Sequence, residues 1–287
     1  MTAGSSSPEI TADIFETAIY ASSLGQKMRR GLDLGPKYYL RDLPRYFRQR
    51  RKLGLSLRDF GVLRSPVRSF QNGTYHRVPL PPRYDEALRL LTAAGVRFDN
   101  QQTRIEALAG LWWQTRDVEG DVIECGAYRG GTSLLLAILG RLNGIEKKVL
   151  MLDTFTGMPA PSEFDSARES GELAPPEDWP TVIRQQANTL GVDDLVEIHE
   201  GLFAETFPAI AERKLVFSFC HVDANIYQGT LEACEFTLPR VSPGGVMVFD
   251  DYNGLCDLGA RLAIDVALVE SGRRPQPLAE CSAYLQF

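Results

Sequence analysis

The sequence predicts an α/β fold, a mostly parallel sheet with helices on both faces, preceded by a helical and irregular N-terminal extension. Three observations predict it. From Asp121 onward, short apolar runs alternate with helical patterns, the order that a parallel sheet with crossover helices imposes on a chain. The first run leads directly into a glycine-rich turn and a helix start, Glu124-Cys-Gly-Ala-Tyr-Arg-Gly-Gly-Thr-Ser133. Carboxylates follow later runs, at Asp153, Asp223, Asp250 and Asp251, and sheets of this kind bind ligands at the carboxyl ends of their strands.

The expected strands are Val122-Ile123, Val149–Leu152, Leu195–Ile198, Leu215–Phe219 and Val246–Phe249, with Ala283–Phe287 as a further edge strand. Helical patterns fill the gaps at Ser133–Leu142, Thr181–Leu190, Glu205–Glu212, Gly229–Leu238 and Leu258–Glu270. Upstream, Arg104–Arg116 reads as a helix with Ile105, Leu108, Leu111 and Trp112 on one face. Earlier still the pattern is irregular. Ile14–Arg30 reads as an amphipathic helix, Lys37–Lys52 is dense in bases and aromatics, and Pro66, Pro79, Pro81 and Pro82 mark loops. The chain therefore divides near residue 95, into an extension over 1–95 and a sheet domain over 96–287. The basic stretch is either a solvated helix face or a patch for an anionic acceptor.

Composition excludes several classes. The 287 residues are 44% hydrophobic and 24% charged, which allows a sizeable core. A net charge of −6 argues against a dedicated nucleic-acid binder. No apolar run approaches the roughly 18 residues that span a bilayer. Met1–Ala12 carry neither a basic nor an apolar signal region, so a cytoplasmic protein without membrane contact is expected. Five scattered cysteines suit reduced, buried thiols better than disulfides or a zinc site.

The strand ends carry the chemistry. Gly126, Gly130 and Gly131 let a backbone approach a ligand, and the helix that follows offers amides and hydroxyls to an anion. The spacing Gly-x-x-x-Gly-Gly departs from the Gly-x-Gly-x-x-Gly of dinucleotide binders, and Glu124 would repel a pyrophosphate. An acid there suits a ligand bearing an ammonium, such as the methionine part of S-adenosylmethionine. The plain alternative is a turn capped by Thr132 or Ser133. Asp153, 27 residues after Gly126, stands where a ribose diol is gripped, or caps a helix. Asp223, Asp250 and Asp251 stand at neighbouring strand ends, where three carboxylates are costly to hold without a positive charge among them. Oxygen-rich clusters suit Mg2+ or Ca2+, and a bound Mg2+ lowers the pKa of a substrate hydroxyl. Capping and solvation are the alternative. His221 points to the same face as Asp223, as a candidate base or as a core histidine. Met158–Pro180, rich in prolines and acids, is long for a connection and reads as a lid, a solvated loop or an oligomer contact.

Four segments carry a resemblance: Glu124-Cys-Gly-Ala-Tyr-Arg-Gly-Gly-Thr, Asp153-Thr-Phe-Thr-Gly-Met-Pro, His221-Val-Asp-Ala-Asn-Ile-Tyr and Pro243-Gly-Gly-Val-Met-Val-Phe-Asp-Asp-Tyr252. Together, over about residues 95–287, they resemble the macrocin O-methyltransferase (TylF/MycF) family. The resemblance implies a class I methyltransferase fold, Rossmann-like. It also implies S-adenosylmethionine and Mg2+ as cofactors, a small-molecule hydroxyl acceptor such as a sugar on an antibiotic, and a homo-oligomer. Carried over residue by residue, Glu124, Gly126, Thr132 and Ser133 would hold the methionine part and Asp153 the ribose. Tyr128 and Gly201 would line the cofactor site, with His199 nearby. Asp223, Asp250 and Asp251 would be metal ligands, with Asp223 touching the cofactor site and serving, or His221 serving, as the base. Where the family often has Asp-x-Asp-Trp-Tyr, this chain has Asp223-Ala-Asn225-Ile226-Tyr227, a change in the acceptor pocket. The extension 1–95 would supply part of that pocket, a lid or a subunit contact. Other readings are a related hydroxylase on the same pocket, similar to the cephalosporin hydroxylases, or a non-catalytic cofactor-binding partner.

Overall fold

Each apolar run of the sheet domain forms a strand, and most helices begin about two residues earlier than their patterns suggest. A computed structural model of the protein describes residues 43–49, 51–52, 78–165, 167–174, 176–254, 257–279 and 281–287. The helix expected at Ile14–Arg30 and most of the loops expected around Pro66 lie outside the described residues. Helices α1 (Tyr84–Ala93) and α2 (Gln102–Gln114) precede the sheet. There follow β1 (Asp121–Cys125), α3 (Gly131–Asn143), β2 (Val149–Asp153), α4 (Trp179–Leu190), β3 (Val196–Glu200), α5 (Phe203–Glu212), β4 (Phe217–Val222) and α6 (Tyr227–Thr237). A short 3-10 turn leads into β5 (Val241–Phe249), and α7 (Leu258–Ala267) precedes β6 (Gln276–Pro277) and β7 (Ala283–Gln286).

The strand order is β3-β2-β1-β4-β5-β7-β6. Strands β1 to β5 run parallel, whereas β7 and β6 are antiparallel additions. The chain moves outward from β1 to β3 and then returns to the other side of β1 for β4. The switch point, where such sheets open a crevice, therefore lies between β1 and β4.

Strand alternation fixes which helices go where. Val122, Val149, Met151, Val246 and Val248 face a core shared with α1, α2, α3 and α4. Their neighbours Ile123, Leu150, Met247 and Phe249 face a second core shared with α5, α6 and α7. Phe217 and Phe219 should share a face by parity, yet they lie in opposite cores. The register shift between them leaves Ser218 as the extra residue, a β-bulge. Its hydroxyl donates to the carbonyls of Gly120 and Asp121 at 3.0 and 3.2 Å. Downstream of the bulge, Glu124 pairs with His221 in register.

Helix α1 was not expected, because the prolines before it suggested loops. Its signal is local: Tyr84, Leu88 and Leu91 stand one turn apart and are buried, against α3 and the strands. The residue-95 boundary therefore falls between two helices of one core. Strand β4 extends to Val222, five residues of β5 precede Val246, and α7 stops at Ala267. Cys125, Cys220 and Cys234 are buried free thiols, and Cys281 is free as well. Among the described residues no helix is long and apolar enough to cross a membrane.

The helical stretch 43–49 docks against α7 through a single buried ring. Tyr46 is 1% exposed. Its hydroxyl donates to Asp265 at 2.7 Å and accepts from Arg261 Nε at 3.1 Å. Tyr46→Phe is expected to cost about 1–2 kcal/mol, read as a lower urea midpoint at unchanged slope. An unchanged midpoint would mean that the stretch is not docked in solution.

Candidate active site

The loop after β1 and the loop after β4 touch, and only glycine permits the contact. Gly126 has φ 98°, and a Cβ on it would lie 1.9 Å from the Asp223 carbonyl oxygen. Tyr128 at φ 48° and Gly130 at φ 72° continue the left-handed path, so the turn delivers the α3 N-terminus to the strand ends. Thr132 and Ser133 are both buried there. The Ser133 hydroxyl donates to Glu124 Oε2.

Period-two alternation puts Glu124, His221 and Asp250 in one row on the α1–α4 side of the sheet. His221 Nδ1 lies 2.8 Å from Glu124 Oε1, and its Nε2 lies 3.7 Å from Asp250 Oδ1. Burial opposes a charge on His221, but Asp250 and Glu124 on its two sides outweigh that and push its pKa up to about 10. Asp250 also accepts from Ser282 at 3.1 Å and from Arg104 of α2. Burial raises the Asp250 pKa, yet Arg104 and His221 hold it down at about 2.

Asp223 lies beside this row, half-buried. Desolvation, then the carboxylates of Asp250 and Asp251, push it well above the usual carboxylate range, and His221 and Arg104 act against that. Burial, Asp257 and Asp250 push Asp251 up to about 7. Asn225, left-handed at φ 58°, donates to Asp251 Oδ2 at 2.7 Å and approaches Asp223 Oδ1 at 3.4 Å. Among the described residues, donor atoms of His221, Asp223 and Asp250 lie within 4.8 Å of one another. That convergence includes the imidazole and leaves Asp251 to Asn225. The His221 Nε2 atom is buried and has no hydrogen-bond partner, so the donor set fits a divalent cation that displaces the Nε2 proton.

Asp153 ends β2 on the other side of β1. Its carboxylate accepts from the backbone N–H groups of Tyr128 and Phe155, each at 2.8 Å. Burial raises its pKa against those bonds. The N–H of Gly201, at φ 137°, donates to the Asp153 carbonyl at 3.0 Å. Tyr128, Asp153 and Gly201 thus form one edge of the crevice. His199 stands apart from the His221 row, with Nε2 3.6 Å from Glu197. Burial lowers its pKa. Arg129 lies over the rings of Tyr128 and Trp179, at 4.9 and 5.1 Å.

A family model described as Macrocin-O-methyltransferase (TylF) matches residues 82–265, more than half of the chain. The chain belongs to this family. It is 31% identical over 166 residues to 8-demethyl-8-(2,3-dimethoxy-alpha-L-rhamnosyl)-tetracenomycin-C 4'-O-methyltransferase of Streptomyces olivaceus, covering 54% of this chain and 60% of that relative. It is 28% identical over 144 residues to mycinamicin III 3''-O-methyltransferase of Micromonospora griseorubida, covering 47% and 56%. Both matches span less than two thirds of the relative's own length. The solved structure of CalS11, a calicheamicin methyltransferase, superposes with a TM-score of 0.60 over 81% of this chain and 93% of that one, at 21% identity. The class I methyltransferase fold of the sequence reading therefore stands.

In this TylF-family chain the fold also brings to the strand ends residues that the sequence did not announce. Arg104 was read only as a helix start, although it stands one turn before Leu108 on the apolar stripe, where a base is out of place. Ser282 and the Glu124–His221 pairing carry no local signal, because sheet register alone brings them together. The described part of the connection 154–178 is exposed over much of its length but is pinned at Asp165 and Arg168. Asp165 is 2% exposed, accepts from Ser162 and receives the Tyr227 N–H at the start of α6 at 2.9 Å. Arg168 pairs with Asp257 just before α7. The strap therefore ties β2 to the N-terminal ends of α6 and α7, beside Asp251. Arg45 of the helical stretch 43–49 donates to the carbonyl of Glu163 in it at 2.8 Å.

Proposed function

We propose that this protein is an S-adenosylmethionine-dependent O-methyltransferase acting on a hydroxyl of a small natural product, a sugar moiety in antibiotic biosynthesis, with Mg2+ assisting. The observation that carries the reading is the row Glu124–His221–Asp250, with Asp223 beside it, at the glycine turn of a TylF-family sheet. When bound, S-adenosylmethionine supplies a methyl on a sulfonium, which already leaves readily. Gly126, Tyr128, Thr132, Ser133 and Glu124 hold the methionine end, and Asp153 with Gly201 holds the ribose end. A sheet end lined by Glu124 and Asp153 suits a cation-bearing cofactor and repels a pyrophosphate.

What remains for the protein is alignment and removal of one proton. Asp223 is the stronger candidate for the base. Asp223 is half-buried, whereas His221 is fully buried with Nδ1 committed to Glu124. Asp223 and Asp250 are metal ligands in this reading, with His221 Nε2 behind them and Asp251 adjacent. A cation there supplies a lower pKa at the acceptor hydroxyl. The strap 154–178 and the stretch 43–49 wall the acceptor side. A cytoplasmic homo-oligomer is part of the same reading, by analogy with the family.

Calorimetry of the purified protein with S-adenosylmethionine is expected to show binding, and a fed sugar-bearing acceptor is expected to gain one methyl by mass. Absence of cofactor binding would sink the reading. Turnover that resists chelators would remove its metal component alone, and a product heavier by one oxygen would favour the hydroxylase.

A further inference from the structure

Helix α2 covers the face of the sheet on which Glu124, His221 and Asp250 stand in a row, and Arg104 lies in its first turn. The guanidinium reaches down to that row. It donates through Nη1 to Asp250 Oδ2 and to Asn100 at 3.1 Å, and Nη2 meets Cys281 Sγ. The other Asp250 oxygen accepts from Ser282. Side-chain exposure of the pair is 12% for Arg104 and 2% for Asp250. Water therefore screens it little, and loss of either partner leaves a desolvated charge. Asp250 is also one of the three residues whose donor atoms converge within 4.8 Å. A divalent cation drawing on Asp250 must take an oxygen that Arg104 or Ser282 already holds, and it must sit close to a fixed positive charge.

We propose that Arg104 is a resident counter-ion that competes with the divalent cation for Asp250 and so sets the metal affinity of the site. The inference rests on the metal-assisted reading above. With the guanidinium on Asp250, that carboxylate has a counter-charge without a metal, while Asp223 and Asp251 stay under the repulsion of their neighbours. With a metal bound, the guanidinium has to turn toward Asn100 and Cys281, or the metal has to share Asp250 with it against like-charge repulsion. Arg104 is thus a positioning residue: it acts on the acceptor chemistry through Asp250, without touching the reacting atoms.

The test is Mn2+ binding to the full-length protein, followed by electron paramagnetic resonance of the free ion, for the wild type, Arg104→Met and Arg104→Lys. Arg104→Met removes the competing charge and is expected to bind Mn2+ about tenfold more tightly or better. Arg104→Lys keeps a charge and is expected to stay close to wild type. Thermal melting adds a second readout. Arg104→Met should melt below wild type in chelator and should regain more from Mn2+ than wild type does. If Arg104→Met folds only when Mn2+ is present during refolding, the competition is equally supported. If it fails to fold with Mn2+ while Arg104→Lys folds, Arg104 is purely structural and the proposal falls. Equal, measurable Mn2+ affinity in all three proteins overturns the proposal and leaves the metal reading standing. No Mn2+ binding to any of them overturns both.

Discussion

Asp223→Asn is expected to lower the turnover of methyl transfer by about 10²–10⁴-fold, with a much smaller change in S-adenosylmethionine affinity. The substitution keeps the shape of the side chain and one acceptor oxygen. It removes the proposed proton acceptor, and it weakens one of the donors that converge with His221 and Asp250. His221 and Asn225 are poor substitutes. His221 is buried with Nδ1 on Glu124, and Asn225, two residues on, is an amide where the family often has a second acid. The decisive comparison is kcat and cofactor dissociation constant for the same preparation. Normal turnover in the variant would return the protein to the class of non-catalytic cofactor-binding partners. A loss confined to cofactor affinity would move Asp223 from the chemistry to the cofactor edge.

Gly126→Ala is expected to be strongly damaging: among the described glycines its added Cβ would make the shortest contact with backbone. The added Cβ would lie 1.9 Å from the carbonyl oxygen of Asp223 and 2.6 Å from its carbonyl carbon. Both are backbone atoms of the neighbouring strand end, so no rotamer change relieves the clash. The left-handed φ adds strain of its own. Separating the ends of β1 and β4 breaks the bond from the Asp223 N–H to the Cys125 carbonyl at 2.8 Å and misplaces the glycine turn. A loss of about 3 kcal/mol or more is expected, a fall in melting temperature on the order of 10 °C, together with loss of cofactor binding. Gly144→Ala is the control. Gly144 has φ 70° with nothing within 4 Å of an added Cβ, so it reports the conformational strain without the clash. Equal melting temperatures for the two variants would show that the strand ends part easily.

The parts of the site that are contiguous in sequence were legible as sequence. Glu124 to Ser133 announces a turn and a helix start, and Asp153, Asp223 and Asp250 follow apolar runs, so alternation alone places them at strand ends. Residues joined only by register were not legible. Nothing near Glu124 says that its partner is His221. That follows from β1 and β4 being neighbours, which depends on the order of crossovers. The same holds for Ser282 on Asp250 and for Arg168 on Asp257, where antiparallel addition and helix packing bridge long separations. Asp251 shows a different limit. Adjacent residues on a strand end point to opposite faces, so Asp250 joins the His221 row and Asp251 turns toward Asn225, a difference that the dipeptide alone does not show. Arg104 shows a third limit. A base at the start of a helix reads as solvated until the helix is known to lie across an acidic row.

The bulge at Ser218 gives β4 slack at one end only. Between Phe217 and Phe219 the strand carries one residue more than β1 opposite it, and from Phe219 to Val222 the pairing is continuous. The extra length is taken up at the end of the strand far from the crevice, and the Ser218 hydroxyl ties it to the Gly120 and Asp121 carbonyls. Changes in the length of the α5–β4 connection can therefore be absorbed before the chain reaches His221. Insertions that are tolerated at Ser218 would, three residues later, turn His221 and Asp223 away from their partners. The strand behaves as a cable clamped at its working end, and the clamp is the Glu124–His221 pair.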